Sequence, residues 1–196
     1  SVPQILQRLL AEHGIQGDAC RIALGRPYPA RDYCVQHAES DLHFLQRLCE
    51  EEGLHYHFQH SEQGHVLVFG DDQTPFPRLE SAPSCRPGNV CIQRFAVRLE
   101  TRSDSVTLRD HDFAQPRLQM NSSACADDTP ATVLDLYAYP GQFNGRTRGH
   151  HLARRALEVA RHDRQLASGA SDQPSLASGH FLDLHDHPHS DYQQFW

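Results

Sequence analysis

The chain has 196 residues, 38% of them hydrophobic, with 18 basic against 25 acidic side chains and a formal net charge of -7. That is long enough to bury one large or two small cores without covalent staples, and no apolar run approaches the roughly 18 residues that would span a bilayer. Every basic residue is Arg and none is Lys, and the acidic surplus argues against a protein that holds nucleic acid by neutralising phosphates.

Residues 2–13 read as a helix: Ser1 stands at the cap position, Pro3 is tolerated in the first turn, Ile5, Leu6, Leu9 and Leu10 share a stripe, and Gly14 stops it. An extended piece over 20–24 leads to the Pro-broken loop Arg26-Pro27-Tyr28-Pro29 and to a strand-like stretch over 33–37. Ser40 followed by Asp41 predicts a helix with the stripe Leu42, Leu45, Leu48 and Cys49, ending at Gly53. Leu54, Tyr56 and Phe58 then alternate with His55, His57 and Gln59. Gln63-Gly64 turns the chain and 65–69 runs back, which predicts a hairpin with its histidines on the polar face.

Between Asp71 and Asn89, prolines at 75, 77, 83 and 87 mark a linker or surface loop. Alternation resumes at Val90-Cys91-Ile92, at Phe95 to Leu99 and at Ser105 to Arg109, which suits antiparallel strands, and another strand is expected over 132–139, before Pro140-Gly141. Leu152, Ala153, Ala156, Leu157 and Ala160 define a third helix. The Ser- and Gly-rich stretch 166–179 reads as flexible, and 180–184 as the first strand of an unfinished domain. The expected division is an α+β module over 1–72, a Pro-rich linker over 73–89, a β-rich module with a C-terminal helix over 90–165, and over 166–196 a flexible segment that starts an incomplete β-barrel. With no initial Met and an aromatic end, Tyr192 to Trp196, the chain reads as an excerpt of a longer one.

Six cysteines, Cys20, Cys34, Cys49, Cys85, Cys91 and Cys125, include no C-x2-C pair, so they read as reduced structural thiols rather than zinc ligands. The 15 histidines include the His-x-His spacings His55/His57 and His185/His187/His189, which could share a metal on a strand. Asp186 and Asp191 stand near the second group, but Pro188 interrupts it, so no metal or cofactor is expected there. No G-x-S-x-G elbow, P-loop or G-x-G-x-x-G is present. Asp71-Asp72 and Asp127-Asp128 read as local turn partners. Two charge features break a local rule. Glu50, Glu51 and Glu52 crowd a helix C-terminus, where the dipole disfavours anions by about 0.3–1 kcal/mol each when exposed, so a compensating cation is expected. Arg146, Arg148, Arg154, Arg155, Arg161 and Arg164 load the third helix against Glu158 and Asp163 alone.

The stretch from Arg31 to Gly53, with Glu39-Ser40-Asp41-Leu42 opening its helix and Glu51-Glu52-Gly53 closing it, then the 54–69 hairpin and Asp71-Asp72, closely resembles the VgrG spike proteins of bacterial type VI secretion and their phage baseplate hub relatives. Phe113-Ala114-Gln115-Pro116, Tyr139-Pro140-Gly141, Arg148-Gly149 with Leu152-Ala153, and Gly179-His180-Phe181 with His187-Pro188 extend the likeness over essentially the whole chain. His37 departs from the pattern, which commonly has an aromatic there. The resemblance implies an α+β fold with an α/β insertion module and antiparallel β-barrel-like portions, incomplete at both ends.

It also implies a structural hub and no catalytic residue. Three copies would form a ring on the Hcp tube with baseplate components, effectors or adaptors as further partners, assembled in the cytoplasm and then exported. Because ring closure needs complementary patches, Glu50, Glu51, Glu52, Arg148, Arg154, Arg155 and Arg161 are the expected contact residues. The alternatives are a metal-dependent enzyme domain using His185 and His187, and a ligand-binding module working through the 71–89 loop.

Overall fold

The computed structural model describes residues 1–79, 84, 91–127, 134–193 and 196. Most of the expected 73–89 linker, with Pro83, Cys85 and Pro87, lies outside them, as do Val90, Asp128 and residues 132 and 133 of the expected 132–139 strand. The described elements run α1 (Val2–Glu12), β1 (Cys20–Ala23), α2 (Asp41–Glu52), β2 (His55–Ser61), β3 (Gly64–Gly70), β4 (Ile92–Leu99), β5 (Ser105–Asp110), β6 (Met120–Cys125), β7 (Asp135–Ala138), α3 (Arg146–Arg161) and β8 (Gln165–Ser171). Helices and strands mixed along the chain make this an α+β fold. Among the described residues the sheets stay open, in the orders β1-β3-β2, β4-β8 and β6-β5-β7.

The chain divides into two compact units, and neither is continuous in sequence: one holds 1–35, 54–98 and 166–196, the other 36–53 and 99–165. In the first unit β3 is the central strand, antiparallel to β2 and parallel to β1. Leu67, Val68 and Phe69 of β3 are buried in succession, as expected of a strand covered on both faces. The amphipathic α1 buries Val2, Leu6, Leu9 and Leu10. Asp71, one residue beyond β3, ties down the chain after β1: its carboxylate accepts from the Gly25 N–H at 2.9 Å, the Arg26 N–H at 3.2 Å and the Tyr28 hydroxyl at 3.0 Å. Burial alone would raise this carboxyl, but those bonds outweigh it and hold it below the usual range.

The second unit is built on β5, antiparallel to β6 and parallel to β7. Val106, Leu108, Met120, Phe143, Ala153 and Leu157 form its core under α3. Gly149 is required there, because a Cβ would run into the Ser122 hydroxyl and the Phe143 ring. The α2 helix packs against α3 in the same unit. It is capped by Ser40, whose hydroxyl accepts from the His43 N–H at 3.2 Å, and it ends at Gly53 with φ of 70°.

Several expectations need correction. Residues 33–37 form no strand; they are mostly exposed and have no partner strand, and the Gln36 side chain bonds onward to Glu39 and Asp41. The flexible reading of 166–179 fails over its first part, which is β8. Pairing needs only backbone, and Gly169 meets the Arg94 carbonyl so closely that a Cβ would lie 2.6 Å from it. Residues 180–184 form isolated bridges rather than a strand. The pairing is not purely antiparallel, since β1-β3 and β5-β7 are parallel.

Candidate contact surfaces

The acidic end of α2 finds its cation within its own unit. Glu52 is 3% exposed, and Arg148 of α3 grips it with two parallel bonds, Nη1 to Oε2 at 2.7 Å and Nη2 to Oε1 at 2.5 Å. His151 Nε2 stands 3.6 Å from the same carboxylate. Such a fork is the strongest form of charge-assisted pair, and it makes a buried carboxylate tolerable at a helix C-terminus. Glu51 pairs with Arg47 at 3.0 Å, and Arg47 also clasps Glu39 with two bonds. Hydrogen bonding from Arg47 holds the Glu39 carboxyl low.

The arginines of α3 are engaged in the same way. Arg155, 6% exposed, reaches Glu158 at 2.5 Å while its stem lies over Gly53. Arg161 reaches Asp104 at 3.1 Å. Arg102 holds Asp163 with two bonds, which draw that carboxyl down to about 2. Of the expected contact residues, Glu51, Glu52, Arg148, Arg155 and Arg161 thus have partners inside the second unit. Glu50 is exposed, and the Arg154 side chain is 76% exposed beside a loose 3.7 Å approach to Glu158.

The histidine groups lie elsewhere. His55 and His57 stack at 6.1 Å between ring centroids, each edge-on to Phe76 at 5.0 and 5.3 Å, and Gly179 lies against His57. Their face of the hairpin is half-buried, not the solvent face the alternation predicts, while Phe58 is exposed. Desolvation lowers both imidazoles, His55 further through the neighbouring His57 charge and His57 through Arg21 and His180. His185 faces Asp183 at 3.4 Å, whereas His187 packs on Phe95, His189 and Tyr192. The structure does not bring His185 and His187 together, and among the described residues no group of three or more His, Cys, Asp or Glu could hold a metal ion.

The second unit also exposes a group of large apolar side chains. The four residues of β7 are all exposed on the edge of their sheet, and Leu134, Leu136, Tyr137 and Tyr139 present large side chains there. Phe113, in the β5–β6 connection, is 89% exposed. An uncovered edge strand with apolar side chains on both faces is a pairing surface unless something covers it. Alternation predicts a strand but not which face is covered, so the strand expected over 132–139 carries no statement about its burial.

A family model described as phage tail baseplate hub (GPD) matches residues 1–196. The chain is 52% identical over 204 residues to the type VI secretion system spike protein VgrG4b of Pseudomonas aeruginosa, a match covering 100% of the chain and 25% of that protein. It is 53% identical over 205 residues to VgrG5 of the same organism, covering 100% and 26%. The chain therefore spans about a quarter of the length of these curated relatives. Among solved structures, the E. coli c3393 protein, described as a type VI secretion component similar to T4 bacteriophage tail proteins gp27 and gp5, superposes with a TM-score of 0.64 at 19% identity, over 96% of this chain and 39% of that one.

Proposed function

The chain belongs to the phage tail baseplate hub family, and from that premise we propose that it is the structural hub region of a type VI secretion spike, three copies of which form a ring seated on the Hcp tube. Partners are recruited by shape and exposed apolar surface rather than turned over. Baseplate components, effectors or adaptors dock on the assembled ring, which is put together in the bacterial cytoplasm and then exported. Among the described residues no helix is long and apolar enough to cross a membrane.

One observation carries this reading: most of the second unit's ion pairs close within it, while the apolar β7 edge stays exposed. A surface whose charges are already matched and whose uncovered feature is an apolar strand is suited to burial against another protein. Glu50 and Arg154 are proposed as complementary rim charges of that contact, contributing more to register than to affinity.

The test uses the full-length parent. Leu136→Glu and Tyr137→Glu together place two charges on residues that bury little in the monomer, so the fold should survive while the trimer fraction in light scattering falls about tenfold or more. A trimer of unchanged mass at the same concentration sinks the assignment of β7 to the contact.

A further inference from the structure

The joint that leads into α3 carries a covalent weak point. Residues 143–145 are Phe-Asn-Gly, and Gly145 is the N-cap of α3. Asn144 is exposed. Among the described residues neither its side-chain amide nor the Gly145 N–H has a hydrogen-bond partner. A Cβ added to Gly145 would meet nothing within 4 Å, so the space around its nitrogen is open. The chain's other two asparagines differ. Asn121 lies inside β6, opposite Arg109 of β5 and followed by Ser122, which is 2% exposed, and Asn89 lies outside the described residues.

We propose that Asn144 is a site of spontaneous deamidation, and that the isoaspartate it forms loosens the start of α3. The reaction needs an exposed, unbonded carboxamide and a following backbone nitrogen that is neither engaged nor shielded by a side chain, a condition glycine meets best. The Gly145 nitrogen gives up its proton and attacks the Asn144 side-chain carbonyl carbon. A nitrogen–carbon bond forms, the bond from that carbon to the side-chain nitrogen breaks, and ammonia leaves carrying the proton. Water then opens the five-membered imide. Addition at the side-chain carbonyl gives Asp, and addition at the main-chain carbonyl gives isoaspartate, whose main chain is one methylene longer. Nothing is oxidised or reduced, and water is the only reactant taken up.

The two products act on α3 in opposite directions. The first turn of α3 holds no acidic residue but has Arg146 and Arg148, and its N-cap offers no side chain. A carboxylate at position 144 stands beside the positive end of the helix dipole and is favoured there. The isoaspartate carries the same charge but inserts its methylene between two fixed points. On one side, Phe143 is 6% exposed in the core and its N–H donates to Asp110 Oδ2 at 3.2 Å. On the other, Gly149 packs so closely on the Phe143 ring that a Cβ would lie 2.8 Å from it. The extra length is taken up in the first turn, which holds the Arg148 that grips Glu52. The inference stands on the second unit alone and is independent of how many copies form the ring.

For the test, the full-length parent is incubated at mildly alkaline pH and sampled by peptide mapping, in which exchange of NH2 for OH adds one mass unit and isoaspartate elutes apart from Asp. Conversion of Asn144 to both products is expected, with Asn121 intact. Gly145→Ala falls in extended backbone and open space, so it should keep the fold and slow the conversion roughly tenfold or more. Hydrogen exchange then reads the consequence. The isolated isoaspartate form should exchange faster over 149–152, where the Gly149 N–H donates to the Gly145 carbonyl at 2.9 Å, while 105–110 keeps its protection. Asn144→Asp has the charge without the methylene and should protect 149–152 at least as well as the starting protein. An unconverted Asn144 overturns the proposal, as do equal conversion at Asn121, Asp without isoaspartate, or an unchanged rate in Gly145→Ala. Unchanged exchange in the isoaspartate form, or equal loosening by Asn144→Asp, overturns the proposed effect on α3.

Discussion

Glu52 shows how a residue that looks misplaced in the sequence becomes a fixture of the fold. Removing its charge leaves the Arg148 guanidinium and His151 without their shared carboxylate, and breaking one partner of such a buried pair costs about 3–5 kcal/mol. Glu52→Gln keeps the shape and one acceptor, so about 2 kcal/mol is expected as a lower midpoint in urea unfolding. The Ser40 and Gly53 caps are legible because capping chemistry is local. The partner of Glu52 was not, because it lies 96 residues away. What could be read was the need for a cation: three glutamates at a helix C-terminus announce one. His55 and His57 carry the second residue-scale prediction. Both are held below the usual imidazole range, chiefly by desolvation. The unfolded chain therefore takes up protons first as pH falls, and the stability these rings contribute is full above their unfolded pKa of about 6.5 and is lost below it. Thermal melts of the wild type should drop between about pH 7 and about pH 5, and His55→Gln with His57→Gln should flatten that drop. An equal slope in both proteins would show that the rings do not carry it.

At the scale of elements, legibility tracked the size of the side chains. The helices α1, α2 and α3 and the strands β2, β3, β4 and β5 follow large apolar residues at helical or alternating spacing. β6 and β8 are not legible, since in Met-Asn-Ser-Ser-Ala-Cys and Gln-Leu-Ala-Ser-Gly-Ala-Ser a single large apolar residue is followed by small or polar side chains that set no apolar alternation. In β6 the inward positions Met120 and Ser122 are buried under α3, where only small groups fit beside Gly149. In β8 the smallness of Gly169 is what allows the approach to Arg94. Gly169→Val should accordingly push the β4-β8 ribbon apart at a cost of about 1–3 kcal/mol. Hydrogen exchange should accelerate over 92–98 and 166–171 while β5 keeps its protection; uniform protection throughout would mean the strand pair yields without cost. The exposed face of β7 was unreadable for another reason, since covering is a property of partners and not of period.

For the molecule as a whole, the family was legible from the residues around α2 and the hairpin that follows, and the fold class with it. The grouping of segments was not, because composition marks where a chain wanders but not where it returns. Each compact unit is assembled from stretches far apart in sequence: 36–53 waits for 99–165, and 1–35 and 54–98 include a last piece at 166–196. On a ribosome adding about 5–20 residues per second, α2 emerges on the order of five to twenty seconds before the α3 residues that receive Glu52 and cover Gly53. During that interval the nascent helix exposes Phe44, Leu45 and Leu48, which the finished protein buries, so the window for chaperone capture of this chain opens at α2 and closes with the synthesis of α3.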